Sequence, residues 1–137
     1  MIRGTDTRFA QTLADGMGIL GSAVCVLHCL ALPTMLVLGT AVPAALLSDD
    51  MFHSAMLWII IPSAVLAFGI GCRRHKDATV LVLGVIGIVA ISAAAVLLHD
   101  LVGEFGERLV TLIAVAMLTL AHYRNFRLCR AQHCDHG

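Results

Sequence analysis

The sequence predicts an all-α fold, a four-span transmembrane helical bundle with both termini in the cytoplasm, and three observations carry that prediction. The chain is too apolar for a soluble domain. Of its 137 residues 59% are hydrophobic and 13% charged, and its mean hydropathy is +0.92, against about 45–50% apolar and about 25% charged in an ordinary globular protein. Its apolar residues gather into four long runs between short polar breaks, on the scale of the roughly 20 residues that one bilayer crossing takes. Its charges are sorted by loop, which fixes the direction of each crossing.

Residues 1–15 read as a short polar arm. They carry Asp6, Gln11 and Asp15 and have no apolar centre, so they do not resemble a cleaved secretory signal. The first span follows at about 16–38, and its apolar run continues to residue 47. That is too long for one straight crossing, so Pro33 is expected to kink it and Pro43 to end or bend its extension. Ser48-Asp49-Asp50 is a polar turn. The second span covers about 52–71, with Pro62 inside it, and Cys72-Arg73-Arg74-His75-Lys76-Asp77 forms the next loop. The third span is about 78–98. Residues 99–106 are expected to form an acidic turn, and the fourth span is about 107–123 around an apolar centre at 109–121. Its helix is expected to continue through Arg130 into the polar tail 124–137. Residues 1–137 form one domain, with no room for a soluble module.

Eight of the nine basic residues lie in the arm (Arg3, Arg8), the second loop (Arg73, Arg74, Lys76) and the tail (Arg124, Arg127, Arg130). The other two loops hold Asp49, Asp50, Asp100, Glu104 and Glu107 against the single Arg108. The positive-inside rule therefore predicts cytoplasmic termini and a cytoplasmic second loop. Gly18, Gly21, Ser22 and Cys25 share one side of the first span, and Gly84 and Gly87 mark the third. Small residues of this kind let helices approach closely in lipid.

Chemistry concentrates in Cys25-Val26-Leu27-His28-Cys29, inside the first apolar run. Residues three and four apart share a helix face, so Cys25, His28 and Cys29 can converge on one small object. Thiolates and imidazole suit soft ions such as Hg(II), Cu(I) and Zn(II) rather than Mg(II) or Ca(II). The competing reading is packing, since cysteine is small and common in buried contacts. For His28 it is a bond to a neighbouring hydroxyl or carbonyl. Toward the cytoplasm, Cys72 and His75 lie three apart, and His122, Asn125 and Cys129 fall on one face of the fourth helix. His133, Cys134 and His136 add a Cys/His cluster of metal-binding type in the tail. Arg124, Arg127 and Arg130 are placed to favour the thiolate form of nearby cysteines. At the other end His53, His99, Asp49, Asp50, Asp100, Glu104 and Glu107 read as an acidic, imidazole-bearing mouth that attracts cations. Five cysteines do not make a secreted disulfide framework. The chain carries no Walker motif.

The sequence resembles the MerC family of mercury-resistance inner-membrane proteins. The likeness rests on Asp15, Cys25-Val26-Leu27-His28-Cys29 with Pro33, Pro62, Gly71-Cys72-Arg73-Arg74-His75, and the stretch from Ala121 and His122 through Asn125 and Arg127 to Cys129. It covers nearly the whole chain. The resemblance implies a multi-pass protein of the bacterial inner membrane that is not an enzyme and holds no permanent cofactor. It also implies Hg(II) uptake, the ion being handed from membrane thiols to cytoplasmic thiols and a mercuric reductase. The mixed sulfur and nitrogen set at Cys25, His28 and Cys29 also raises a Zn(II) or Cu(I) transporter or sensor. A haem-binding or thiol-redox membrane protein is a further alternative. Four short spans barely enclose a pathway, so lipid and a second copy of the chain are the expected partners, and nucleic acid is not.

Overall fold

A chain this apolar meets its backbone hydrogen bonds internally, and the helix is the element that does so within one segment. The computed structural model describes residues 2–39 and 49–131. They form α1 (Ile2–Val37), α2 (Asp49–His75), α3 (Ala78–Ala93) and α4 (His99–Ala131), with a π-helical turn, Ala94–Leu98, between the last two. No strand occurs among the described residues. Helix α1 packs on α2 and α4, α3 packs on α4 and α2, and α2 and α4 meet between them. Contacts run from the start of α1 to the end of α4 and from the end of α1 to the start of α2. The first residues of α1, the α2–α3 link and the end of α4 therefore share one end of the bundle.

Three stretches are long and apolar enough to cross a membrane: Thr7–Met35, Met51–Gly71 and Ala78–Leu97. Helix α4 is not among them. Its apolar stretch 109–121 is bounded by Glu107 and Arg108 on one side and by His122, Arg124 and Asn125 on the other.

Two expectations from sequence are corrected. Residues 2–15 are not an arm apart from the first helix but its first turns, since α1 is 36 residues long, about 54 Å at the helical rise, and its membrane-crossing stretch begins at Thr7. Two of the polar residues that suggest an arm, Gln11 and Asp15, are buried, together with Ala14. The acidic turn expected at 99–106 shrinks to one residue. The helix runs on from α3 through the π turn, and the break falls at Gly103 (φ 69°, ψ 176°), a conformation open to glycine and costly for any residue with a Cβ. Glu104 and Glu107 then occupy the first turn of the following helix, where acids face the positive dipole end. Glu104 also pairs with Arg108. At the far end of α1, Gly39 (φ 66°) follows the last turn, the usual place for a left-handed glycine. Pro43 lies outside the described residues.

The small residues act as expected. A Cβ at Gly84 would lie 2.6 Å from Cε2 of Phe68, and one at Gly87 would lie 2.7 Å from Cγ of Leu118. Gly21 faces Ile60. These close approaches hold α1 on α2, α3 on α2 and α3 on α4.

Asp77 caps α3: its Oδ1 accepts from the Val80 N–H at 3.0 Å, and its Oδ2 accepts from Arg124 at 3.3 Å. The Val80 amide, and then the Arg124 guanidinium, hold its carboxyl below the usual carboxylate value. A lowered folded-state pKa gives stability that is present above the unfolded value and lost as pH falls through the folded one. The native chain is accordingly expected to unfold at a higher temperature than Asp77→Asn at neutral pH. The two should converge below about pH 3.9, the ordinary aspartate value. Thermal unfolding in detergent across that pH range checks this.

Candidate metal site and the buried acid–imidazole pairs

The inward face of α1 reads Asp15, Gly18, Ser22, Cys25 and Cys29, at helical spacing. Both thiols follow from that periodicity, and both are sealed from the surface, at 1% and 4% exposure. Cys25 belongs to the apolar core with Ile60 and Ala64. Cys29, one turn further on, meets a side chain from another helix: its Sγ lies 3.8 Å from Nε2 of His53 on α2. Nδ1 of the same ring is 3.1 Å from Oε1 of Glu107 on α4. His53 and Glu107 are both buried. With the carboxylate accepting from Nδ1–H, the neutral ring presents its Nε2 lone pair to the Cys29 thiol. Three helices thus contribute one group each to a thiol–imidazole–carboxylate line.

His28 sits beside this line rather than in it. Its ring stacks on Phe52, with centroids 3.7 Å apart and planes 11° apart, and lies edge-on to His53 at 6.1 Å. Sequence reasoning put His53 and Glu107 in an open acidic mouth, and the structure buries both. The signal was present in the helix period. His53 shares a face of α2 with Ile60, Ala64 and Ala67, and Glu107 shares a face of α4 with Thr111, Ala114 and Leu118, all of them buried.

A second acid–imidazole pair lies at the other end of α1. Asp15 and Cys25 are separated by ten residues of helix, about 15 Å. Asp15, His122 and Asn125 are each 0% exposed. His122 Nδ1 is 2.9 Å from Asp15 Oδ1, and Asn125 Nδ2 donates to both Asp15 oxygens, at 3.1 and 3.0 Å, and to the Ala67 carbonyl at 3.2 Å. Glycine makes the room. A Cβ on Gly18 would overlap the His122 ring, and one on Gly71 would overlap the Asn125 amide. Phe68 covers the His122 ring at 4.6 Å between centroids. His122 Nε2 is buried without a hydrogen-bond partner among the described residues.

The expected cytoplasmic group is therefore divided. His122 and Asn125 turn to Asp15, while Cys129, two turns on from His122, is half-buried. Cys72 and His75 fall in the last turns of α2, and their side chains are outside the described set. His133, Cys134 and His136 also lie outside the described residues. The arginines assigned to activating these thiols have other partners. Arg124 bonds Asp77, Arg127 lies 5.9 Å over the Tyr123 ring, and Arg130 lies 4.6 Å over Phe126. Among the described residues no group of three or more His, Cys, Asp or Glu side chains is arranged to hold a metal ion. Among the described residues, the buried soft donors are the Cys25 thiol and the Cys29–His53 pair.

Comparison with known proteins places this arrangement. No curated protein and no solved structure matches the chain. The family model for the MerC mercury resistance protein matches residues 15–127. That stretch begins at the buried aspartate and takes in Cys25, Cys29, His53, Glu107, His122 and Asn125. A match over this much of a four-helix membrane chain shows its family: the protein belongs to the MerC mercury resistance family.

Proposed function

We propose that this protein carries Hg(II) inward across the bacterial inner membrane by exchange between thiols, with both termini in the cytoplasm. The observation that carries the reading is the burial of Cys25 and Cys29 inside a membrane bundle of this family. Thiols turned to lipid could not relay an ion. The cation enters at the end that carries Glu104 and Glu107. It meets Cys29, then Cys25 one turn deeper, and leaves toward Cys129, Cys72 and Cys134 and on to cytoplasmic thiols such as those of a mercuric reductase. Each metal–sulfur bond forms as the thiol loses its proton, so loading both cysteines releases two protons. Exchange needs no nucleotide, because intracellular thiols act as the sink. The membrane potential adds about 2.3 kcal/mol per charge per 100 mV. The chain acts as a carrier rather than an enzyme and holds no resident cofactor.

Uptake of Hg(II) into vesicles holding the native chain, Cys25→Ser, Cys29→Ser or the double variant tests this. The native protein is expected to accumulate Hg(II), and each serine variant to lose at least about 90% of that rate, because a hydroxyl is a poor ligand for a soft ion. Unchanged uptake by the double variant would overturn the reading. Parallel runs with Zn(II), Cu(I) and Cd(II) set the selectivity.

A further inference from the structure

The geometry points to His53, held by Glu107, as the nitrogen ligand of the transported ion at Cys29, in place of the adjacent His28. This assignment rests on the thiol-exchange reading and adds to it a donor from a second helix and a positioning residue from a third.

The 3.8 Å between Cys29 Sγ and His53 Nε2, a hydrogen-bonding distance, is also one that two donors on a single ion can span. With metal–sulfur and metal–nitrogen bonds of about 2.3 Å and about 2.0–2.1 Å, it closes a sulfur–metal–nitrogen angle of about 120°, whereas linear binding would need about 4.3–4.4 Å. A larger ion has longer bonds, and the same separation then closes a smaller angle. The pair therefore favours bent coordination with a position left over, as a station that must pass its cargo on requires. Cys25, one turn along the same buried face, is the next thiol in line to receive the ion.

The second feature is the carboxylate behind the ring. Metal-binding histidines characteristically give their other N–H to a carboxylate or carbonyl, which fixes the tautomer and aims the ring. Glu107 stands at 3.1 Å from Nδ1 of His53 and is itself buried. His28 is stacked against Phe52 and walls the site. When the ion binds, the Cys29 S–H bond breaks and its proton passes to solvent. The sulfur and the Nε2 lone pair then both bond to the metal.

The test uses the full chain in lipid nanodiscs loaded with one equivalent of Hg(II), read by X-ray absorption at the metal edge and by competition for the dissociation constant. Native protein and His28→Ala are expected to show sulfur and nitrogen in the first shell. His53→Ala should lose the nitrogen, as should His53→Gln, which keeps a polar partner for Glu107 and guards against misfolding. Glu107→Gln should keep the nitrogen but bind about 10–100-fold more weakly, the range for loss of an outer partner. A first shell of sulfur alone in the native protein, or a nitrogen that survives both His53 variants, would overturn the assignment while leaving thiol exchange intact. Hg(II) binding unaffected by Cys25→Ser and Cys29→Ser would instead overturn the thiol reading beneath it.

Discussion

Asp15→Ala is expected to lower the stability of the bundle by about 2–6 kcal/mol, because it takes the acceptor from two buried donor groups at about 1–3 kcal/mol each. The aspartate accepts from His122 and twice from Asn125, all three side chains being fully buried. Alanine leaves Nδ1 of His122 without its acceptor in a fully buried position, beside an Nε2 that has no hydrogen-bond partner among the described residues. Asn125 loses both bonds to the carboxylate and keeps its bond to the Ala67 carbonyl. Asp15→Asn retains an acceptor oxygen and should cost less, about 1–3 kcal/mol. Asp15→Ala combined with His122→Phe should recover much of the loss, since an apolar replacement of a whole buried pair is often neutral or stabilising. Thermal unfolding in detergent, followed by helical circular dichroism, orders the three. Equal melting temperatures for native and Asp15→Ala would show that the cluster contributes nothing to the fold.

Adding one methyl group at Gly18 or Gly71 is expected to cost about 1–3 kcal/mol, the usual penalty for overfilling a packed interior. At Gly18 the new carbon would overlap the His122 ring and at Gly71 the Asn125 amide. Neither neighbour can give way without leaving Asp15. The internal control is close by in sequence. Gly16 and Gly69 have nothing within 4 Å of an added Cβ, so alanine there should be neutral or raise stability by up to about 1 kcal/mol through helix propensity. The same chemical change made two residues apart on each helix should therefore have opposite signs, measured by the same unfolding experiment.

The helices were legible because their apolar runs are long, and the faces were legible wherever small residues marked them. Gly18, Gly21, Ser22 and Cys25 were read as one side of the first span, and the structure packs that side. The start of α1 was not legible, because Gln11 and Asp15 look like surface residues to any reading of polarity. Only their distant partners on α4 explain why they are buried. Gly103 illustrates the converse. Four polar or charged residues between 99 and 107 suggest a loop, yet one backbone rotation suffices to reverse the chain. At the thiol site, the spacing of Cys25 and Cys29 identified the correct face. It points to His28 and is silent on His53, because sequence shows neighbours along the chain and not those across it. The ring 3.8 Å from Cys29 is 24 positions away.

The polar groups of both clusters converge on α4, which supplies Glu107, His122 and Asn125 and is too polar to qualify as a crossing by itself. During synthesis this segment emerges last, when α1 and α2 already present Asp15, His53 and Ala67. Its entry into the bilayer is thus a docking event onto a half-built receptor, drawn in behind the very apolar α3 as one arm of a hairpin. In this protein the buried groups that tie the helices together also guide the fourth helix into place.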